Sequence, residues 1–352
     1  MASMNRATPN RLPVTPAELA ARVAEVPRVP LAYLPTPLEH LPRLSKLLGG
    51  PEIFLKRDDL TGLAFGGNKT RQLEFVFAEI LAQGADTVVC GAFTQSNWCR
   101  QITAAARKLG LDCSLVLVHG VKGPLLQGNL LLDRLMGADV EIVDIDHMQH
   151  LGPYLEAKVA KLKAAGKRPY YLSPFNLDVL SLSAVGYVNA YLELDGQLAE
   201  RKLVASHIYL AGTMMTPAGL HMAAAALGRP TKVVAVNPSR WDEDRAIAIA
   251  RIADATAKRL RLPLDVRPAD IANEPNYVGE KYGVLTDAAR EAIRMLAETE
   301  GVILDPVYTA KAMSALIDHI RKGRLGKADR VVFVHTGGLP ALFAYAGDLG
   351  IV

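Results

Sequence analysis

Apolar residues recur along the chain in short runs that alternate with longer segments of helical periodicity. Each run is followed by a polar or glycine-containing turn and then by a helical segment. The apolar runs lie at 87–92, 114–119, 140–143, 208–210, 232–236 and 330–334, and helical segments lie near 181–194, 217–227, 240–261, 286–300, 309–322 and 340–347. Strands that alternate with helices are typical of parallel βα units. The pattern predicts an α/β fold with doubly wound, mostly parallel sheets, whose ligands bind at the carboxyl ends of the strands.

A further helical segment begins directly after a pair of glycines and carries a lysine in its first turn. Its apolar stripe, spaced i, i+3, i+4, i+7 and i+8, consists of Leu73, Val76, Phe77, Ile80 and Leu81. Gly66 and Gly67 permit backbone conformations and close approaches that a side chain would prevent. A ligand can therefore approach the backbone closely beside Asn68 and Lys69. Lys69 is the first candidate for a residue that reacts with or binds this ligand.

Two other interpretations of Lys69 remain open on the residues alone. A lysine in the first turn of a helix is commonly a solvated surface residue. The stretch 62–70 also approaches the phosphate-binding pattern G-x-x-x-x-G-K-[ST], but Asn68 stands where that pattern requires its lysine. The displacement moves the ammonium away from the phosphates, so the sequence disfavours a nucleotide-binding loop.

Composition and charge narrow the class of protein. The chain has 352 residues, which is long enough for two domains. It is 50% hydrophobic and 22% charged, an ordinary composition for a soluble protein. The formal net charge is +4, with no basic run that would favour nucleic acid or an anionic membrane as partner. No apolar stretch reaches about 18 residues, and residues 1–9 lack the apolar region of a signal peptide. We expect a cytoplasmic protein that acts on a small molecule.

The three cysteines of the chain give no sign of a disulfide framework or a metal site. Cys90, Cys99 and Cys113 cannot all pair with one another, and their spacing matches no metal-ligand pattern. We therefore expect reduced thiols and no bound metal.

Six short motifs occur in order between residues 34 and 338. They are LPTPL at 34–38, KRDD at 56–59, GGNKTR at 66–71, TQSN at 94–97, LDPVY at 304–308 and HTGG at 335–338. Together they resemble the motifs of the pyridoxal-phosphate enzymes that group D-cysteine desulfhydrase with 1-aminocyclopropane-1-carboxylate (ACC) deaminase. The resemblance implies pyridoxal 5'-phosphate as cofactor, fold type II as in the tryptophan synthase β-subunit, and a homodimer. It also implies a large cofactor-binding domain, 1–71 and 181–352, with a small inserted domain, 72–180.

The resemblance assigns roles to the glycine turn and to later loops. Lys69 is expected to hold the cofactor covalently, to be displaced by the substrate amine and then to remove the Cα proton as a neutral amine. Asn68 is expected to bond the hydroxyl of the cofactor ring. The other residues expected near the cofactor or substrate in these loops are Tyr282, Tyr308, Thr309 and Thr336.

Thr309 bears on the choice between the two activities of the resembled family. ACC deaminases carry a glutamate at this position, which faces the pyridine nitrogen, whereas the desulfhydrases carry threonine. A carboxylate holds that nitrogen protonated and strengthens the electron sink, while a hydroxyl leaves it largely neutral. Thr309 and Thr336 therefore favour a desulfhydrase.

The loop after the apolar run at 87–92 is a candidate substrate site. Ser96 or Asn97 can cap the following helix, and capping alone would be enough to explain why these residue types occur here. A helix N-terminus also presents free N–H groups to a carboxylate, and the resemblance implies that Gln95, Ser96, Asn97 and Trp98 bind substrate, with Asn97 also beside the cofactor ring. Most relatives carry histidine where Trp98 stands. An indole takes up no proton and adds apolar surface, so Trp98 predicts a preference for a larger β-substituent unless it packs inward under the loop.

A second turn, between the run at 208–210 and the next helix, is the candidate phosphate site. Hydroxyls and successive N–H groups at such a turn can cradle a phosphate, although similar turns are common in α/β proteins. We expect Gly212, Thr213 and Thr216 to bind the phosphate. Met214 and Met215 stand where relatives usually carry glycine, and Phe175 lies in another departure from the family pattern.

These observations favour a lyase that carries out α,β-elimination on a small β-substituted amino acid and yields pyruvate, ammonia and the leaving group. Lys69, Ser96, Tyr282 and Tyr308 are the expected catalytic residues. The alternatives are an L-cysteate sulfo-lyase, an ACC deaminase-like deaminase, or a catalytically idle binding protein with the same fold.

Overall fold

The computed structural model describes residues 13–351 of the chain. The expectation that no signal peptide is present depends on residues 1–9, which lie outside this range. Within the described residues, no helix combines the length and the apolar character that crossing a bilayer requires.

One sheet has six strands, taken from two separate parts of the chain, 38–56 and 207–334. In spatial order they are β1 (Leu38–His40), β2 (Glu52–Lys56), β10 (Arg330–Val334), β7 (His207–Ala211), β8 (Lys232–Val236) and β9 (Ala272–Glu274). β1 runs antiparallel to β2, and the other neighbours are parallel. The predicted strands at 232–236 and 330–334 coincide with β8 and β10.

A second sheet has four strands, all parallel, from one continuous part of the chain. Their order is β5 (Asp139–Val143), β4 (Asp112–Val118), β3 (Thr87–Phe93) and β6 (Pro169–Tyr171). The prediction of an α/β fold with mostly parallel sheets is confirmed. The second sheet lies within 72–180, and the domain boundaries themselves stay a prediction.

Twelve α-helices join these strands within residues 13–351. They are α1 (Pro16–Ala24), α2 (Pro42–Leu48), α3 (Asn68–Ala82), α4 (Asn97–Lys108), α5 (Gly128–Leu135), α6 (Gly152–Ala164), α7 (Leu177–Glu200), α8 (Met215–Ala226), α9 (Arg245–Arg259), α10 (Asp287–Glu300), α11 (Thr309–Arg321) and α12 (Leu339–Ala344). The helix predicted from 240 begins only at Arg245, because the side chain of Asp244 caps it by accepting from the Ala246 N–H.

Helix α3 carries Lys69 and is anchored by its apolar stripe. The stripe residues Leu73, Val76, Phe77 and Ile80 are buried, and α3 packs against α7. Leu81 was placed on the same stripe but is 37% exposed, because it lies in the last turn, where the helix leaves the core. The start of α3 is therefore held by three turns of packed helix behind it.

A buried ionic network fixes the start of α3 to β2 and α7. The guanidinium of Arg71 donates to Asp58 Oδ2 at 2.9 Å and to Glu193 Oε2 at 3.0 Å, and Lys56 pairs with the same Glu193 carboxylate. Tyr187 donates to Asp58 Oδ2 at 2.6 Å. Burial opposes the charged form of Asp58, but Arg71, Tyr187 and Lys56 together outweigh burial and hold the pKa of that carboxyl below its ordinary value. The network leaves no charge of this group unpaired.

Candidate active site

A cavity of about 180 Å³ opens at the carboxyl ends of strands from both sheets. Its wall includes Phe93 at the end of β3, Ala211 at the end of β7 and Thr336 just after β10. In parallel α/β sheets this edge is where ligands bind. The predicted residues that line it are Asn68, Lys69, Ser96, Asn97, Trp98, Gly212, Thr213, Thr216, Tyr282, Tyr308 and Thr336.

Lys69 presents a free amine to the cavity. No hydrogen bond or ion pair joins its Nζ to any residue in the described chain. Burial, and secondarily the positive charge of Arg100, lowers the pKa of Lys69 to about 8. At neutral pH about a tenth of the molecules therefore carries the uncharged amine, which is the nucleophilic and basic form.

Two glycine turns bring backbone against backbone beside Lys69. Gly67 has φ 126°, and a Cβ there would lie 2.6 Å from Gln101 Nε2. A Cβ on Gly337 would lie 2.6 Å from the Cα of Gly67. The Asn68 N–H donates to the carbonyl oxygen of Thr336 at 3.0 Å. Glycine is required at both turns, because a side chain would separate Lys69 from the end of β10.

The turn between β7 and α8 is rich in donors. Asn68 Nδ2 and Gln72 Nε2 both donate to Thr216 Oγ1, at 2.9 and 2.8 Å. Because that oxygen already accepts two hydrogen bonds, its hydroxyl proton is available to donate to another acceptor, such as a ligand. In the first turn of α8 the N–H groups of Met215 and Thr216 have no acceptor within the helix, Pro217 has no N–H, and the Ala218 N–H donates to the Met214 carbonyl oxygen at 3.1 Å. Thr213 also lines the cavity.

Gly212 behaves differently from the expected phosphate ligand. It lines the cavity, but its N–H donates to the carbonyl oxygen of Val236 at 3.1 Å as part of the sheet. Because β8 already takes that donor, the Gly212 N–H is not free for a phosphate, and the expectation that Gly212 lies at the phosphate stays a prediction. Met214 and Met215, which were left out of the phosphate site, both line the cavity.

Ser96 and Asn97 begin helix α4 at the cavity wall. Ser96 Oγ caps the helix by accepting from the Cys99 N–H at 3.2 Å. Asn97 Oδ1 accepts from Arg100 at 3.2 Å and from Asn129 Nδ2 at 2.9 Å. Its own Nδ2 donates to no residue of the described chain, so the amide N–H₂ remains available to a ligand.

Tyr282 and Tyr308 form a hydroxyl pair on the cavity wall. Their oxygens lie 2.6 Å apart, with the rings edge to face. Phe93 stacks on Tyr282 with ring centroids 5.0 Å apart. Burial raises the pKa of both phenols above the ordinary value. Both are therefore neutral at physiological pH and can pass a proton to a group in the cavity.

Comparison with known proteins decides the family. The family model described as "Pyridoxal-phosphate dependent enzyme" matches residues 29–337. ACC deaminase of Burkholderia vietnamiensis is 39% identical over 327 residues, 91% of this chain and 96% of that protein. D-cysteine desulfhydrase of Salmonella paratyphi C is 40% identical over 323 residues, 91% of this chain and 96% of that protein. The chain belongs to the pyridoxal-phosphate dependent enzymes.

Solved structures agree with this family assignment. The crystal structure of an ACC deaminase homologue has a TM-score of 0.85 and 35% identity to this enzyme, covering 94% of this chain and 98% of the other. A tomato threonine deaminase, 14% identical with a TM-score of 0.66, shares the fold. The predictions of family, fold type II, enzyme class and cofactor are confirmed.

The cavity of this pyridoxal-phosphate enzyme fits its cofactor. An unpaired amine suits an aldehyde, and the hydroxyls of Thr213 and Thr216 with the first-turn N–H groups of α8 suit a phosphate. No aspartate or glutamate occurs among the described residues that line the cavity. Thr336 lines the wall and offers a hydroxyl.

Thr309 and Gln95 are predicted site residues that the structure places elsewhere. Thr309 is fully buried, and its hydroxyl donates to Asp305 Oδ1 at 2.6 Å, in the turn that starts α11. Gln95 Nε2 donates to the Gln127 carbonyl oxygen at 3.0 Å, and Gln95 Oε1 accepts from the Asn129 N–H at 3.0 Å. Neither lines the cavity. Each side chain is held by hydrogen bonds within its own loop region, and the expectation that Thr309 and Gln95 contact cofactor or substrate stays a prediction.

Trp98 combines the two expected arrangements, lining the cavity and packing inward under the loop. Its indole is 8% exposed and belongs to the main hydrophobic core, yet the residue also lines the cavity. Its Nε1–H is buried with no acceptor in the part of the chain that the structure describes. Trp98 therefore packs under the loop and forms part of the cavity wall at the same time.

Sequence reasoning missed several residues on the wall. They are Phe93, His147, Met148, Pro174, Pro238, Ser239, Arg240 and Trp241. The segment 238–241 follows β8 closely. Because ligands bind at the carboxyl ends of strands in such sheets, this segment could have been predicted to line the site. His147 and Met148 come from a longer loop after β5 and carried no comparable signal.

Proposed function

We propose that this enzyme catalyses α,β-elimination on a β-substituted amino acid and releases pyruvate, ammonia and the leaving group. Its similarity to proteins named D-cysteine desulfhydrase supports this reaction class. The observation that carries the proposal is the presence of an unpaired lysine amine and a neutral tyrosine pair on one cavity wall. These are the base and the acid that such an elimination needs.

Lys69 holds the cofactor and removes the Cα proton in this proposal. When bound, pyridoxal phosphate accommodates the electron pair that the departing Cα proton leaves behind. The lowered pKa of Lys69 provides the neutral amine for proton removal without a separate base. Ser96 and the free amide N–H₂ of Asn97 hold the substrate carboxylate at the start of α4.

Thr213 and Thr216 hold the phosphate, together with the first-turn N–H groups of α8. Asn68, which orients the Thr216 hydroxyl, also faces the cavity beside Lys69, and we assign it to the ring hydroxyl. Thr336 lies at the end of β10, where a hydroxyl can face the pyridine nitrogen.

Tyr282 and Tyr308 assist departure of the leaving group. Because their hydroxyls are hydrogen-bonded to each other at 2.6 Å, a proton given up by one can be replaced from the other. Burial keeps both phenols protonated, so the pair acts as an acid towards the atom that leaves Cβ.

We expect ACC to be a poor substrate compared with a β-substituted alanine. Opening the cyclopropane ring requires a strong electron sink, which a protonated pyridine nitrogen provides. The described cavity wall offers no carboxylate to keep that nitrogen protonated. Ammonia release measured over a panel of β-substituted alanines of both configurations and ACC checks the ranking. ACC turnover as fast as that of any β-substituted alanine would show that the ranking is wrong.

We further propose that the enzyme is a homodimer. The segment 121–135, which includes α5, exposes five large apolar side chains: Val121, Leu125, Leu126, Leu131 and Leu135. Such a concentration of exposed apolar residues marks a protein interface. We expect Leu135→Glu to weaken the dimer, measured by light scattering on a sizing column, whereas Leu47→Glu, at an exposed leucine on α2, leaves it intact. A wild-type chain that stays monomeric at working concentrations would contradict this.

A further inference from the structure

Both tryptophans of the sequence line the active-site cavity. Trp98 lies at the start of α4, and Trp241 follows β8. Phe175, on the loop after β6, stands beside Trp241 with ring centroids 6.4 Å apart and planes at 77°. Edge-to-face pairs of this kind are favourable, and they leave a ring face or edge for a third aromatic group.

Trp241 is fixed in place by polar contacts on its own loop. Its Nε1 donates to Ser239 Oγ at 2.8 Å. The guanidinium of Arg245 lies over the ring, 4.7 Å from its centroid, and is itself paired with Glu243 at 2.9 Å. The indole is therefore held before any ligand arrives, and a ligand that packs on it loses little additional side-chain entropy.

The cavity continues past these aromatic residues. Phe175, Trp241 and Met214 also line an adjoining groove of about 350 Å³. The groove has charged residues on its far side, where Glu243 is paired with both Arg245 and Arg251. Phe175 is 45% exposed, so the end of the cavity that it forms is in contact with solvent. A substrate longer than cysteine can extend from Lys69 along this wall into the groove, whereas a thiol alone would leave the aromatic surface uncovered.

The chemistry of the wall favours an apolar substituent. A small anionic group such as a sulfonate would lose water of hydration against the indole and phenyl rings without a matching hydrogen bond from them. Two cations lie at this part of the wall. Arg240 is exposed and donates to the Gly279 carbonyl oxygen at 2.9 Å, and Arg245, over the Trp241 ring, is paired with Glu243. An anionic substituent would therefore meet several apolar rings and cations that are solvated or already paired with a carboxylate.

We propose that the substrates of this enzyme are S-substituted cysteines with an aromatic or bulky apolar group on sulfur, which packs between Trp241, Phe175 and Met214. The proposal rests on the elimination proposed above and narrows its substrate class. The Cα proton passes to Lys69, the Cβ–S bond breaks with its electron pair going to sulfur, and the tyrosine pair supplies the proton of the thiol. One water is consumed in releasing pyruvate and ammonia, and no external oxidant or reductant is needed.

The test compares S-benzylcysteine, cysteine and cysteate, each in both configurations, with the holoenzyme. We expect kcat/KM for pyruvate formation from S-benzylcysteine to exceed that from cysteine or cysteate by about tenfold, the worth of one well-placed aromatic contact. Trp241→Ala should lower the ratio of S-benzylcysteine to cysteine by about tenfold, mainly through KM. Phe175→Ala, at a more exposed position that tolerates truncation, should lower the same ratio, and Tyr154→Ala, an exposed aromatic residue on α6, should leave it unchanged.

The outcomes separate this proposal from the one on which it rests. Pyruvate formed faster from cysteine or cysteate than from S-benzylcysteine overturns the substrate class and leaves the elimination standing. A ratio that neither Trp241→Ala nor Phe175→Ala alters overturns the assigned wall. Absence of pyruvate from every compound, with cofactor bound, overturns the elimination and this proposal together.

Discussion

Lys69→Ala is expected to lower pyruvate formation by about 10⁴-fold, the upper range for loss of a positioned base. Lys69 is the lysine on the cavity wall, and its amine has no partner among residues 13–351. The loss should therefore appear in kcat as well as in cofactor retention. Compared with the cofactor-free wild type, the cofactor-free variant should change little in urea unfolding, because truncation removes no hydrogen bond and opens no core position.

Lys311 provides the matched control for Lys69. Burial lowers the pKa of Lys311 to about 8 as well, but its Nζ donates to the Val278 carbonyl oxygen at 2.7 Å and it does not line the cavity. Lys311→Met should therefore keep the cofactor and most activity while losing stability. If Lys311→Met abolished cofactor binding and Lys69→Ala did not, the assignment of roles here would be wrong.

Arg100→Gln is expected to reduce kcat/KM by about 10²-fold, the effect of displacing catalytic groups by about 1 Å. Arg100 is fully buried and joins two walls of the site. It donates to the Gly66 carbonyl oxygen at 2.7 Å, in the turn before Lys69, and to Asn97 Oδ1 at 3.2 Å, at the start of α4. It is a positioning residue, since it acts through Lys69 and Asn97.

The pH dependence separates the charge of Arg100 from its geometry. Arg100 lowers the pKa of Lys69 after burial does, so removing the positive charge raises that pKa. Cofactor capture by the apoenzyme requires the neutral amine and rises as pH rises through about 8 in the wild type. In Arg100→Gln the rise should move to higher pH, and Arg100→Lys should restore its position without restoring kcat/KM, because lysine lacks the planar fork. An unchanged pH profile in Arg100→Gln would show that its charge has no influence on Lys69.

Much of the fold could be predicted because its signals are local. The strands at 232–236 and 330–334 are apolar runs bounded by turns, and they coincide with β8 and β10. The start of α9 was misplaced, because the cap at Asp244 depends on one side-chain hydrogen bond that apolar periodicity does not register. Lys69 was found because glycines, lysine and helix are contiguous in the sequence.

The hydrogen bonds and packing that the sequence does not reveal at the site depend on distant partners. Gln95 looked like its neighbours Ser96 and Asn97, but its hydrogen bonds go to residues near 127–129. Gly212 sits in a suitable turn, yet β8 takes its N–H. Trp241 was missed because its approach to Phe175 joins loops after β6 and β8, which belong to different sheets. Resemblance of motifs carries no information on such pairings.

The central claim, that Lys69 binds pyridoxal phosphate covalently, is tested most directly by reducing the holoenzyme with borohydride and mapping the labelled peptide by mass spectrometry. We predict a single modified lysine, Lys69, in the peptide that follows Gly66 and Gly67. A label on Lys311 or on any other lysine, with Lys69 unmodified, would contradict the claim.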